Sequence, residues 1–368
     1  MKQKCLHIIS IALGMVLVLL YGGCAADSTN ESVEAPLREV HFMLGAHNYA
    51  DMTSTNIHRA LPNGYVIYDD FSPKIPVDEA ALRCYMTQGN EIKFQGNLTY
   101  KSDIWVSKIP LDNGVYHVYG LMPGAEAGKV KLNTLSGDNF ANGAIMTING
   151  LNSVTTSDVC AIVGVKGASS KVGIADVGIE LGKFSYDAQN DGTYVYLLID
   201  HLYAAIQLNM NISSDYNALR TIKLTKLTLR SKTVKTANVT ATLTPNITNA
   251  SPLTEPLPTV TTAVSGEGTE VEIYKGVEQE LEENKDLTFV ACTAPISTNT
   301  QFVMKTIYNV YDRKGNLIRK DCTAENVLNL PTGGLTRGQK YTFNLTVNPT
   351  YLYVLSDPDL DNPTVTVN

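Results

Sequence analysis

The sequence predicts an all-β protein made of two tandem antiparallel β-sandwich domains. Short runs of alternating apolar and polar residues recur along the chain, and Gly, Asn, Asp or Pro bounds each run. Few stretches show the spacing of apolar residues that a helix requires. Strands that follow one another without intervening helices favour antiparallel sandwiches over a parallel sheet with crossover helices.

Two runs in the second half carry most of this prediction. Residues 341–347 alternate apolar and polar side chains without a break, which predicts a strand with one buried face. Residues 222–229 alternate in the same way, but the pattern slips by one residue at Lys226. Such a slip predicts a β-bulge, because the extra residue shifts every later side chain to the other face.

Turns and one helix complete the local prediction. Residues 312–316, Asp-Arg-Lys-Gly-Asn, separate two strand-like runs and predict a hairpin. Asn113-Gly114 and Asn149-Gly150 predict hairpin turns as well, because both residue types accept a positive φ. The acidic segment 278–285 is the one place where we expect a short surface helix.

The N-terminus has the layout of an export signal. An apolar run at residues 8–20 follows two lysines and leads to Gly22-Gly23-Cys24, which predicts a signal peptide over 1–23. This ending resembles the lipobox of bacterial lipoproteins, so we expect lipid (palmitate) on Cys24 and an anchor in the outer membrane. Tyr21 stands where that motif has an aliphatic residue, which leaves a simple secretory signal with an incidental cysteine as the alternative.

The part of the chain that follows the predicted signal peptide is long enough to favour two domains, because single cores stop growing near about 250–300 residues. Residues 24–59 are predicted to be a lipidated polar tether that ends in a first strand near Val40. We expect an N-terminal sandwich over 60–190 and a C-terminal sandwich over 191–368.

Composition and motifs argue against several functions. The net charge of −7 gives no basic surface for nucleic acid. The chain lacks the metalloprotease, serine hydrolase and phosphate-loop motifs, so we expect no enzyme, no cofactor and no metal site. His201 lies in a strongly apolar run, and we interpret it as a half-buried histidine beside the domain junction.

Four cysteines follow Cys24, namely Cys84, Cys160, Cys292 and Cys322. An even number in an oxidising compartment can form two disulfides, and separately folding domains would pair Cys84 with Cys160 and Cys292 with Cys322. The alternative is four buried thiols that act as small apolar residues, because no spacing here is typical of a disulfide framework.

The last twenty residues, 349–368, contain two strand-like pieces with strong β propensity and low charge. The first piece is Tyr351, Leu352, Tyr353, Val354 and Leu355, and the second includes Val365 and Val367. An apolar tail of this kind either closes the sheet of its own domain or completes the sheet of another molecule.

The chain resembles the fimbrillin family of Gram-negative anaerobes, whose members are lipoprotein precursors that polymerise into surface fimbriae. The resemblance rests on Gly22-Gly23-Cys24, on Thr55-Asn56-Ile57-His58-Arg59-Ala60, on the segment 198–206 and on Gly338-Gln339-Lys340-Tyr341-Thr342-Phe343-Asn344-Leu345. Each motif is short, but the resemblance covers most of the mature chain in order.

The resemblance implies transthyretin-like sandwiches and cleavage by an arginine-specific protease between Arg59 and Ala60. Removal of the first strand would open an apolar groove, and the tail strands of a neighbouring subunit would fill it. The partners are then copies of this chain or related subunits in a cell-surface fimbrium that supports cell adhesion. The alternative for Arg59 is an ordinary charged residue in an exposed loop.

Two other functions remain open at this stage. A subunit that anchors a fimbrium or caps its tip can depart from the scheme above. An outer-membrane glycan-binding lipoprotein is the other alternative, because Trp105 and the 19 tyrosines could line a surface on which sugar rings stack.

Overall fold

A computed structural model describes most of the chain after residue 34. The described residues are 35–47, 50–51, 65–67, 81–101, 104–173, 176–243, 259–296, 301–330, 333–348 and 364–367. Nearly all regular structure is β, which confirms the predicted class.

In chain order the strands are β1 (Leu37–His47), β2 (Ala50–Asp51), β3 (Tyr65–Ile67), β4 (Leu82–Gln88), β5 (Glu91–Lys101), β6 (Ile104–Pro110), β7 (Val115–Met122), β8 (Val130–Thr134), β9 (Ala144–Asn152), β10 (Val154–Thr155), β11 (Cys160–Ala168), β12 (Ser185–Asp187), β13 (Tyr194–His201), β14 (Ala204–Ile212), β15 (Thr221–Ser231), β16 (Val234–Leu243), β17 (Thr259–Ser265), β18 (Val271–Glu280), β19 (Leu287–Thr293), β20 (Gln301–Tyr311), β21 (Leu317–Asn329), β22 (Gln339–Val347) and β23 (Thr364–Val367). The short helix α1 is Ser214–Asn217, and 3₁₀ turns occupy Gly124–Lys129 and Phe140–Asn142.

The first sheet, which we call the ring sheet, runs in the order β11-β13-β1-β6-β5-β4-β7-β12. Two residue pairs between β11 and β7 close seven of these strands on themselves, with Cys160 opposite Met122 and Ala161 opposite Leu121. Closure removes the unpaired edges that an open sheet would present. The strand β3 is added to the end of β1.

Three further sheets complete the fold. One has the order β10-β19-β14-β22-β2, with β23 also paired to β22, and it faces a sheet of order β18-β15-β20-β21 across a shared apolar core. The fourth sheet, β17-β16-β9-β8, packs against the outside of the ring sheet. Most pairings are antiparallel, whereas β1 with β13, β14 with β22 and β2 with β22 are parallel.

Several local predictions are confirmed. The pairing of β15 with β20 shifts register between Leu224 and Lys226, which is the bulge expected there. Residues 312–316 form the hairpin between β20 and β21, where the Asp312 amide donates to the Asn316 carbonyl over 2.9 Å. The strand β22 buries every second side chain, as its alternation predicts.

Two local predictions were wrong. Asn149-Gly150 does not end a strand, because β9 continues to Asn152 and the Gly150 amide donates to Asn238 Oδ1 on β16. The acidic segment from residue 278 is not helical at its start. Glu278 lies in the strand β18, where its carboxylate accepts hydrogen bonds from Asn309 and Tyr311 on β20. These partners are distant in sequence, so local acidity gave no sign of them.

Strand pairing crosses the boundary predicted at residue 190. The neighbouring strands β12 and β13 both belong to the ring sheet, and the chain enters the next sheet only at β14, after His201. The strand β16, well past the boundary, pairs with β9 from Thr236 to Leu243. By its internal contacts Leu37–Asn368 forms one compact unit. The division at residue 190 stays a prediction.

Candidate functional site

The first strand is an interior strand of the ring sheet. On one side β1 pairs in parallel with β13, from His41 opposite Tyr194 to Ala46 opposite Ile199. On the other side it pairs antiparallel with β6, and with β3 at its end. We call the space that β1 fills between these neighbours the β1 slot. Removal of β1 would therefore uncover two rows of backbone hydrogen-bonding groups.

The side chains of β1 form part of the ring core. Val40, Phe42, Leu44 and Ala46 point into it, and each is at most 3 % exposed. Burying one such large aliphatic or aromatic side chain stabilises a protein by about 1.5–3 kcal/mol. On the outer face Met43 packs against a smaller apolar cluster. An empty β1 slot would thus expose apolar surface as well as unpaired backbone.

Polar contacts fix the start of β1. The Arg38 guanidinium donates to the Ala188 carbonyl over 2.6 Å and to Asn113 Oδ1 over 3.1 Å. The His41 amide donates to the Thr193 carbonyl over 2.9 Å. These contacts hold the strand in one register along the slot.

The segment that contains β1 continues into a second sheet. In β2, Ala50 and Asp51 pair in parallel with Gln339 and Lys340 of β22. Further along β22, the terminal strand β23 pairs antiparallel, with Val365 opposite Leu345 and Val367 opposite Phe343. The strands β2 and β23, which lie far apart in sequence, therefore both add to the strand β22.

The predicted processing and donor residues fall mostly outside the described part of the chain. The residues outside the described part are Cys24, Arg59, Ala60, Tyr351, Leu352, Tyr353, Val354 and Leu355. Val365 and Val367 are described at the level of the backbone, in β23. They close the sheet of their own chain here, which is one of the two outcomes that the sequence left open.

The four cysteines after residue 24 form no disulfide in the structure. Cys84, Cys160 and Cys292 are buried, as the alternative of apolar thiols expects, whereas Cys322 is partly exposed. Cys292 is on β19 and Cys322 on β21, strands of two different sheets. Neither disulfide considered from the sequence is present among these residues.

A buried polar cluster lies where the ring sheet leads into β14. His201 Nδ1 lies 2.8 Å from Asp158 Oδ2 and 3.5 Å from Cys160 Sγ. The exposed fractions of Asp158, Cys160 and His201 are 0 %, 0 % and 1 %. We call these three residues the His201 cluster. The expectation of a half-buried histidine was wrong, since the ring is fully enclosed.

Strand pairing builds the His201 cluster. Cys160 begins β11 and lies opposite His201, the last residue of β13. Asp158 precedes β11 by two residues, so it reaches the same end of the sheet. Burial raises the pKa of the Cys160 thiol well above its ordinary value, and the nearby Asp158 carboxylate raises it further.

An ion pair supports the backbone of His201. Arg337, just before β22, donates from Nη1 to Asp200 Oδ2 over 3.0 Å and to the His201 carbonyl over 2.8 Å. Asp200 Oδ1 accepts from the His201 amide over 3.0 Å. The side chains of Arg337 and Asp200 are 8 % and 5 % exposed, so the ion pair is largely shielded from water.

Trp105 does not line a surface. It is 3 % exposed and lies in the ring core, with its ring 5.5 Å from that of Tyr100 in an edge-on arrangement. The interpretation of Trp105 as a stacking platform for sugars was therefore wrong. Several tyrosines are also fully buried, namely Tyr116, Tyr119, Tyr186, Tyr196, Tyr203, Tyr216 and Tyr341.

The sequence did not predict which residues contact His201 or that β2 pairs with β22. It singled out His201 but not Asp158 or Arg337, and it did not predict β2. The partners of His201 are 43 and 136 positions away in sequence, so no local pattern joins them. Among the described helices, none combines the length and apolar character that crossing a membrane requires.

Comparison with known proteins gives structural likenesses only. No protein-family model matches the chain, and no curated protein matches it. A candidate cell adhesion protein from Bacteroides fragilis aligns at 11 % identity over 90 % of this chain and 97 % of its own, with a TM-score of 0.46. A fimbrial protein from Bacteroides vulgatus aligns at 14 % identity over 89 % and 98 %, with a TM-score of 0.33.

The fimbrial anchor protein Mfa2 from Porphyromonas gingivalis aligns at 8 % identity over 89 % of this chain and 97 % of its own. Its TM-score is 0.28. Identities of this size and TM-scores below 0.5 do not carry a function from one protein to another. The strand pairing of this chain has to support any assignment.

Proposed function

We propose that this chain is a structural subunit of a surface fimbria that joins neighbouring copies by strand exchange. The observation that supports this proposal is the position of β1, an N-terminal strand that fills an interior slot of the ring sheet. An interior strand at a chain end can be removed by a single cut and replaced by a strand from another molecule. The role needs no catalytic step by this chain.

The cut belongs between β2 and β3. Position 59 follows the end of β2 at Asp51 and precedes the start of β3 at Tyr65. Cleavage after Arg59 by an arginine-specific protease would separate both β1 and β2 from the rest of the chain. The β1 slot and part of the edge of β22 would then open together.

An open slot creates the driving force for assembly. Its walls are the facing edges of β13 and β6, and its floor is the core that Phe42 and Leu44 cover in the precursor. Restoring those contacts is worth on the order of 5 kcal/mol, before the backbone hydrogen bonds are counted. The tail 349–368 of a second subunit, with its two strand-like pieces, is the proposed donor.

The proposed pathway begins with export as a lipoprotein anchored through Cys24 in the outer membrane. Cleavage then releases the subunit from its lipid, because the anchor lies on the removed side of Arg59. The products join into cell-surface fimbriae that support adhesion. Lipid attachment, the protease and the adhesive role are parts of this proposal.

A second candidate is an anchor or tip subunit, which one observation favours. In the structure β23, which is the second strand-like piece of the tail, pairs with β22 of its own chain, so this piece already has a partner strand. A subunit that keeps its tail folded back would accept a donor strand without supplying one. Such a subunit would end a polymer rather than extend it.

The test starts with purified precursor and an arginine-specific protease. We expect a new N-terminus at Ala60 and a ladder of oligomers by size-exclusion chromatography with light scattering. Arg59→Ala should block the cut and the assembly. Arg313→Ala is the matched control, because Arg313 is exposed in a hairpin turn and its loss should leave both unchanged.

Two additions separate the candidates. Deletion of 349–368 should permit the cut but leave monomers, and a peptide of residues 37–47 should block assembly by refilling the slot. A peptide with Phe42 and Leu44 replaced by Asp should have no effect. A precursor that is not cut at Arg59, or that is cut and stays monomeric, would overturn the polymerising role, and the second result would favour the anchor or tip.

A further inference from the structure

The His201 cluster brings three kinds of metal-ligating atom together in a closed space. An imidazole nitrogen, a thiol sulfur and a carboxylate oxygen all lie within 4.8 Å of one another. Asp158, Cys160 and His201 are also buried, unlike the exposed acidic groups that often gather on protein surfaces without a ligand. No part of the proposed strand exchange uses this cluster.

The nitrogen–sulfur distance fits a tetrahedral ion as it stands, and the nitrogen–oxygen distance would have to lengthen. With a metal–nitrogen distance of about 2.0 Å and a metal–sulfur distance of about 2.3 Å, tetrahedral angles place the two ligand atoms about 3.5 Å apart. His201 Nδ1 and Cys160 Sγ are 3.5 Å apart. The oxygen of Asp158 is 2.8 Å from the same nitrogen, so it has to move back by about 0.5 Å to reach the tetrahedral separation.

A metal ion would also suit the charges of the cluster. The buried carboxylate of Asp158 already has a partner in the His201 imidazole, whose Nδ1 lies 2.8 Å away, and a metal ion would replace that contact. A divalent ion bound by one carboxylate, one thiolate and a neutral imidazole would leave the cluster with no net charge.

We propose that Asp158, Cys160 and His201 bind a divalent transition-metal ion of the zinc class. A thiolate with an imidazole selects zinc-like ions over magnesium and calcium, which prefer oxygen ligands. These three residues supply three of the four ligands of a tetrahedral ion, and a water molecule or a neighbouring side chain would supply the fourth. The ion would tie the start of β11 to the end of β13, next to the point where the chain passes into β14.

Binding at this site is coupled to folding. Cys160 and His201 are 41 positions apart and meet only when β11 pairs with β13. A closed site of this kind takes up its ion while the strands assemble. The experiment therefore refolds the full chain in the presence of metal under reducing conditions.

Cobalt is the probe. We expect the full chain, refolded with Co²⁺, to show the near-ultraviolet absorption of a thiolate–cobalt bond and to bind one ion per chain, which Zn²⁺ then displaces. Cys160→Ser should abolish this absorption. Asp158→Asn should weaken cobalt binding by at least about 100-fold, which is the upper end of the effect of losing a partner that only supports a ligand.

Cys84→Ser is the matched control. Cys84 is a free thiol in the same ring core and equally buried, and burial raises its pKa to about 12. This variant should keep the cobalt absorption, so a loss in Cys160→Ser alone cannot be assigned to general damage of the core. Zinc should also raise the melting temperature of the wild-type chain and of Cys84→Ser, but not that of Cys160→Ser.

Two results would overturn the proposal. One is a wild-type chain that folds with cobalt present and shows no thiolate–cobalt absorption, which would make the cluster a hydrogen-bonded network only. The other is equal absorption in the wild type and in folded Cys160→Ser. Failure here leaves the strand-exchange proposal intact, because that proposal is tested by cleavage and oligomer size.

Discussion

The strands β1 and β18 are similar in length, at 11 and 10 residues, but opposite in environment. The strand β1 has a neighbour on both sides and buries four side chains of the ring core. The strand β18 is an edge strand with no buried residue, and Val277 within it is 82 % exposed. Position in the sheet, and not length, decides which strand the core depends on.

The difference extends to what holds each strand. Apolar burial and two rows of backbone hydrogen bonds hold β1 in place. Among the described strands β18 pairs with β15 alone, and the carboxylate of Glu278 accepts hydrogen bonds from Asn309 and Tyr311 over 2.6 and 2.7 Å. Loss of β18 would remove an edge strand from its sheet, whereas loss of β1 would leave a gap inside the ring sheet.

Phe42→Ala should have the largest effect on stability. Truncating a fully buried phenylalanine costs about 3–5 kcal/mol, so the free energy of unfolding should fall by that amount in urea titrations. Trp105, the only tryptophan, lies opposite Phe42 and is buried in the same core, so its fluorescence reports on this region.

The control for Phe42 is a residue of the same strand. Leu37 is 70 % exposed, and Leu37→Ala should change the free energy of unfolding by less than about 0.5 kcal/mol. Equal effects of the two substitutions would mean that β1 is not an interior strand. The contrast with β18 would then disappear.

Deletion of residues 364–368 should have a smaller effect. The strand β23 has one neighbour, β22, and pairs over four residues. The hydrogen bonds gained are largely offset by the entropy of ordering those residues, so we expect a loss of less than about 2 kcal/mol in the same titration. Removal of Asn368 alone is the control. A loss as large as that of Phe42→Ala would show that an edge strand can matter as much as an interior one.

Glu278→Gln tests the weakest of these contacts, which is the set of hydrogen bonds between β18 and β20. Hydrogen bonds from Tyr311 and Asn309 hold the pKa of Glu278 below its ordinary value. Because the pKa of Glu278 is lower in the folded chain than its ordinary value of 4.5, the hydrogen bonds of its carboxylate stabilise the folded protein fully at pH values above 4.5. This contribution is lost as the pH falls through the folded pKa. The contribution of this partly exposed group should be less than about 1 kcal/mol.

The measurement for Glu278 is the free energy of unfolding between pH 7 and pH 3. The wild-type chain should lose slightly more stability over this range than Glu278→Gln. Glu280→Gln, on the same strand and exposed, should behave as the wild type. Identical pH profiles for the wild type and Glu278→Gln would show that the edge is not held through this carboxylate.

Local pattern predicted the strands well, because alternation records which face of a strand meets the core. The bulge at Lys226 and the strand at 341–347 both follow from it. Alternation carries no information on which strands pair. The ring sheet includes pairings such as His41 with Tyr194, about 150 positions apart, and these were not predictable from the sequence.

The candidate site divides in the same way. The sequence identified a first strand near Val40, and the structure shows that β1 lies inside a sheet. It also drew attention to His201, but the side chains that contact that residue come from other parts of the chain. Glu278 was assigned to a helix because acidic residues dominate its neighbourhood, and the partners that keep it in a strand come from β20.

The parallel pairing of β1 with β13 also sets a limit on the order of folding. The strand β1 is synthesised first, yet it cannot be paired on both sides until residues 194–201 have been made. Pairings between distant segments form slowly, because a long loop must close before any contact rewards it. The pairing of β1 with β13 is thus among the last pairings of the ring sheet to form, and until it forms one edge of β1 has no neighbour.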